Sequence, residues 1–115
     1  MIYDMKLNNE PFVLIMSGSK TIEMRLNDEK RSKIKIGDYI DFTNRDNHEV
    51  MRALVLNLYY YDSFKELYEN HDKISLGYGD EDIADYRDME KYYSKEEQEK
   101  HGVVGIKVKV LKNKE

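Results

Sequence analysis

Lys20, Thr21, Glu23 and Arg25 fall together in the stretch GSKTIEMR, just after a glycine. These residue types can do two kinds of work. Arg25 offers a planar fork of donors suited to a phosphate or a carbonyl. Glu23 can accept from an exocyclic amine such as that of cytosine, adenine or guanine. Lys20, near both, is an anchoring cation or, if desolvated, a base. On an ordinary surface strand the same charges form a solvated pair worth under about 1 kcal/mol. In a cleft they would hold or attack a polar ligand.

The elements that must position them are legible from periodicity. NEPFVLIMSG reads as a short helix with Pro11 at its first position and Gly18 as its left-handed stop. It is too short to stand alone. After Gly18 the period becomes two: Ile22, Met24 and Leu26 face one way, Thr21, Glu23 and Arg25 the other. This predicts a strand with one buried and one polar face, and Lys20 at its entrance. NDEKRSK is a charged turn or short helix. Gly37-Asp38 opens a strand through Ile40 and Phe42, NRDNHE is a hairpin loop, and VMRALVLNLYYY is the strongest buried-strand signal.

Further on, Ser63 with Glu66 and Ser94 with Glu97 both spell a capping box. The first helix should run to about Asn70 with Phe64, Leu67 and Tyr68 inward, and Gly102 should end the second. Between them a Gly-rich acidic loop should turn helical around Ile83–Tyr92. VVGIKVKVL closes the chain as a half-exposed strand. Strands at both ends with helices inserted late point to a mixed, mainly antiparallel barrel of α+β class, one domain over residues 1–115. Tyr59, Tyr61, Tyr78, Tyr86 and Tyr93 are either stacking platforms for bases or core-edge residues. Tyr60 and Tyr92 read as core edge.

Composition narrows the classes. Absence of cysteine excludes disulfides, thiolate nucleophiles and cysteine metal sites, and the three histidines stand far apart, so neither a metal nor another cofactor is expected. No apolar run approaches the roughly 18 residues of a membrane span, and MIYDMKLNNE lacks a signal-peptide core; the expected location is cytoplasmic. The net charge of −4 argues against a strongly basic nucleic-acid surface. That sum hides an uneven spread: residues 1–61 are neutral, residues 62–101 carry −7 and residues 102–115 carry +3. The cations from Lys20 to Lys35 leave room for a local basic face, although KRSKIK alone is most simply a solvated turn.

PFVLIMSGSKTIEMRL, IKIGDYIDF and GVVGIKV together resemble an ASCH domain, a branch of the PUA-like superfamily. The positions that carry the likeness are Gly18, Lys20, Thr21, Glu23, Arg25, Gly37 and Asp38. The resemblance implies a small β-barrel with a cleft beside GSKTIEMR, and a ligand drawn from RNA, nucleotides and modified nucleosides. One bacterial subgroup hydrolyses the amide of N4-acetylcytidine with a lysine, a threonine and a glutamate. Its lysine falls on Lys20, but its threonine falls on Glu23, so that nucleophile is absent; Glu66 and Glu69 are the nearest candidates for its glutamate. Some ASCH proteins are described as ribonucleases.

The expected function is therefore an RNA- or nucleoside-binding domain with Lys20, Thr21, Glu23 and Arg25 lining the cleft. The alternative is a hydrolase of a nucleoside amide or an RNA phosphodiester, with Lys20 as base and Glu23 as general acid–base. A protein-interaction module drawing on the acidic second half is a third reading. The expected assembly is a monomer or a homodimer, without membrane contact.

Overall fold

A computed structural model describes residues 1–111; the last four positions of the expected domain and their charges lie outside the described residues. One sheet has the order β1-β3-β4-β5-β2, built from β1 Ile2–Leu7, β2 Ile22–Leu26, β3 Tyr39–Asn44, β4 Val50–Tyr61 and β5 Val103–Val110. β1 runs parallel to β3 and every other pair is antiparallel. This is the mixed, mainly antiparallel α+β architecture that the sequence leads one to expect.

β1 is an addition to the expected elements. It buries only Met5 and Leu7, and its Ile2 pairs with distant Tyr39, so neither a dense apolar run nor a hairpin turn marks it. Helix α1 spans Asn9–Ser17, two residues earlier than read, with Pro11 in its third position. The shift is tolerated because the first three helical amides have no intrahelical acceptor anyway. Gly18 stops the helix at φ 88°, its amide donating to Ile15 O. Phe12 and Ile15 dock the helix on Ile40, Phe42 and Val104 of the sheet, each such side chain contributing about 1.5–3 kcal/mol.

A second core lies across the sheet, where Ile22, Met24, Leu26 and Val103 meet Phe64 and Leu67 of helix α2, Phe64–Asn70. At α2 only half of the expected capping box forms: Ser63 accepts from the Glu66 amide. The full reciprocal box is at Ser94 and Glu97, opening α3, Lys95–His101. The helical turn of the acidic insertion is a 3₁₀ segment, Tyr86–Lys91, which starts later than Ile83; that residue is 88% exposed.

The sheet curls until its outermost strands meet. Arg25 of β2 donates from Nη2 to the Lys6 carbonyl of β1 at 2.9 Å. Two expectations change as a result. All five β2 residues are buried, so its polar face is covered rather than solvated. β5 is likewise buried from Val103 to Ile106 and half-exposed only beyond. No helix among the described residues is long and apolar enough to cross a membrane.

Candidate functional site

β2 has core on one side and the barrel opening on the other, and its alternation sends Glu23 and Arg25 into that opening. On that face they share register with Ile106 and Val104 of β5. Relative exposures of 7% for Lys20, 5% for Glu23 and 9% for Arg25 rule out a solvated surface pair. Each carboxylate oxygen has its own cation. Lys20 Nζ lies 3.4 Å from Glu23 Oε1, and Arg25 Nε donates to Glu23 Oε2 at 2.6 Å. Lys20 also donates to the Leu76 carbonyl at 3.1 Å.

Burial by itself pushes the Glu23 carboxyl up, but Lys20 and Arg25 outweigh it and hold the group below its ordinary range. Burial likewise works against the Arg25 guanidinium, and the Glu23 carboxylate more than restores it. Glu23 and Arg25 are therefore both charged at neutral pH. The Lys20 stem passes against Gly77 (φ +108°), whose missing side chain leaves room for it; a Cβ there would stand 3.1 Å from Lys20 Cδ.

Above the trio opens a cleft of about 170 Å³. Lys20, Glu23, Met24 and Arg25 form its floor. Lys6 and Asn8 at the end of β1, Arg45 of the β3–β4 loop, and Met89, Tyr92 and Tyr93 of the insertion form its walls. A second hollow of about 140 Å³ shares Lys20, Met24, Met89 and Tyr92, and is closed by Pro11, Leu14 and Leu76. Larger grooves occur elsewhere on the surface, but neither Lys20 nor Glu23 lines them. Beside the second hollow, Tyr78 donates to Asp88 Oδ2 at 2.7 Å and pairs with the Tyr68 hydroxyl at 2.8 Å. Burial raises both phenols, so they remain protonated donors. Among the described residues no group of three or more His, Cys, Asp and Glu is placed to hold a metal ion.

Of the expected site residues, Lys20, Glu23 and Arg25 converge. Thr21 does not join them: it is half-buried before β2, its amide donating to Ser75 O and its carbonyl accepting from Val108, and it lines neither hollow. Glu66 and Glu69 are exposed on α2 and line neither hollow. The acid of the insertion that reaches the site is Asp88.

Of the tyrosines, the five left open settle on the core, and the two read as core edge do not. Tyr59, Tyr61, Tyr78, Tyr86 and Tyr93 pack against the second core. Tyr60 and Tyr92, read as core edge, are 54% and 66% exposed, and Tyr92 forms the rim of both hollows. Lys6, Asn8, Arg45 and Met89 were not legible as site residues, because tertiary closure alone brings β1, the hairpin loop and the insertion to β2.

The sequence model of the ASCH domain matches residues 5–112. The crystal structure of the hypothetical protein PH0355 superposes with a TM-score of 0.82 at 31% identity, over 96% of this chain and 100% of that one. The solution NMR structure of protein PF0455 from Pyrococcus furiosus gives 0.70 at 32% identity, over 98% and 100%. A mutant of ZmASCH from Zymomonas mobilis gives 0.65 at 15% identity, over 94% of this chain and 67% of that one, a likeness of fold. No curated protein matches the sequence.

Proposed function

The chain belongs to the ASCH domain family, and from that premise we propose that it binds RNA or a modified nucleoside, with one nucleobase seated over the Lys20–Glu23–Arg25 floor. The observation that carries this reading is the pairing of a donor and an acceptor side by side at a buried position. Lys20 has three N–H donors, of which Leu76 O and Glu23 engage two. Glu23 Oε1, with only its long 3.4 Å partner, keeps acceptor capacity. Together they match a base edge that presents a carbonyl beside an exocyclic amine. Met24 and Met89 supply apolar surface, and the exposed Tyr92 ring can cover the base by stacking. At about 170 Å³ the cleft is below the roughly 300–1,000 Å³ of sites for drug-sized ligands, and suits one ring system.

The geometry gives the hydrolytic alternative less support. Lys20 is engaged by Glu23 and Leu76 O, and the residues lining the cleft include no serine, threonine or cysteine.

An NMR titration with a pool of free nucleosides and short single-stranded RNAs tests the reading. Shifts should cluster at residues 20–25 and 86–93. Because Tyr92 is 66% exposed, Tyr92→Ala should leave the unfolding midpoint alone. It should weaken binding fivefold to a hundredfold, since stacking is worth roughly 1–3 kcal/mol per base. Lys20→Ala should weaken it at least tenfold. Wild-type affinity in both variants would remove the cleft as the binding site.

A further inference from the structure

Beyond the cleft, the outer side of β1 carries a groove of about 460 Å³ between that strand and the 3₁₀ turn Arg31–Lys33. Lys6, Lys30, Arg31 and Arg45 line it, with Asp4 as the one acid among the described residues that do. Arg31 is spoken for by Asp28 at 3.1 Å. Lys6, Lys30 and Arg45 are exposed, and none of the three is in a salt bridge among the described residues. A chain of net charge −4 thus concentrates along one seam three cations that are in no salt bridge among the described residues, against a single acid there.

The groove is continuous with the cleft. Lys6, Arg25 and Arg45 line both. Arg25 forms the shared wall: its Nε goes to Glu23 and its Nη2 to Lys6 O, which leaves Nη1 without an acceptor among the described residues. That guanidinium edge stands between a pocket sized for a base and a trough lined with cations. A nucleoside can offer that edge only uncharged acceptors, whereas a nucleotide within a strand can offer an anionic flanking phosphate, with its neighbours' phosphates beyond.

We propose that this groove is a phosphate track and that the ligand is a single-stranded oligonucleotide. One base would enter the cleft, its flanking phosphate would meet Arg25, and the adjoining backbone would run past Lys6, Lys30 and Arg45. The proposal rests on the reading of the cleft as a nucleobase site. It differs from that reading in requiring phosphates, and therefore salt dependence.

The test compares a fluorescein-labelled ten-nucleotide RNA of random sequence with the free nucleoside pool at several salt concentrations. Binding of a single strand loses roughly 0.7 in the log–log salt slope for each phosphate neutralised, so three cations predict a slope of about −2. The RNA should bind at least tenfold tighter than the nucleosides at low salt. The triple variant Lys6→Ala, Lys30→Ala, Arg45→Ala should remove most of the slope, and Lys30→Ala alone, which lines the groove but not the cleft, should lower it by about 0.7 while the nucleoside-induced shifts at residues 20–25 persist. All three side chains are on the surface, so loss of fold does not confuse the result. Nucleoside shifts together with RNA that binds no tighter would overturn the track and leave the cleft standing. Equal affinity and slope for a polyglutamate peptide would also overturn it, because the groove would then select charge and not a nucleic-acid backbone. No shifts and no RNA binding would sink both readings.

Discussion

At the scale of single residues, Glu23 links binding to folding. Its carboxylate neutralises two cations that are themselves out of water, and removing one partner from a buried pair leaves the others uncompensated, at about 3–5 kcal/mol. Glu23→Gln keeps the shape and deletes the charge, so it should destabilise the protein by about that amount in urea denaturation at pH 7. The pH dependence follows from the direction of the shift. Glu23 sits below the ordinary value of 4.5 in the folded protein, so its ion pairs contribute stability that is fully present above that value. This stability is lost as pH falls through the lower, folded-state value. Wild type should therefore lose stability more steeply than Glu23→Gln on acidification below about pH 4.5, and the two curves should converge. Parallel curves would show that Glu23 is not ion-paired in solution. The same burial gives Arg25 a double role. Arg25→Ala would remove the contact that ties β2 to β1 as well as a cleft donor, so Tyr92→Ala is the substitution that separates affinity from stability.

At the scale of elements, two glycines with positive φ show how loops serve the site. Gly18 (φ +88°) ends α1, and a Cβ added there would meet nothing within 4 Å. Gly77 (φ +108°) ends the turn that supplies the Leu76 carbonyl, and a Cβ there would press on the Lys20 stem. Both substitutions to alanine incur a backbone penalty of roughly 1–2 kcal/mol, because L residues avoid this region. Only Gly77→Ala also displaces Lys20. Denaturant midpoints should drop for both variants, while affinity for the RNA or nucleoside should fall at least fivefold in Gly77→Ala and stay at the wild-type level in Gly18→Ala. Equal affinities would mean that the position of Lys20 does not matter to the ligand. The sequence marks Gly18 by its place after an apolar helix, but nothing local marks Gly77, whose role depends on a side chain 57 positions earlier.

At the scale of the whole molecule, what was legible in the sequence divides along the range of the interactions. Period-two alternation placed Glu23 and Arg25 on one face of β2, and the capping serines and Gly18 placed helix ends, because each signal spans only a few residues. Whether the charged face of β2 meets water depends on β1 and the insertion closing over it, which no alternation records. The same long-range closure hid Lys6, Arg45 and Asp88, and brought Tyr92 to the rim. This organisation predicts a gradient of stability. β5 lies between β4 and β2 and contributes Val103 to one core and Val104 and Ile106 to the other, so its amides can open only when both cores do. The insertion from Gly79 to Ala84 is exposed at every residue and lies outside the regular elements. In native-state hydrogen exchange, residues 103–108 should be protected to the level of global unfolding and residues 79–85 should exchange orders of magnitude faster. Bound ligand should slow residues 86–93 selectively, since Met89, Tyr92 and Tyr93 would cover it, and should leave 79–85 fast. Ligand-induced protection that spreads evenly through the insertion would instead make the whole segment a closing element. Protection confined to β5 would place the ligand away from the cleft.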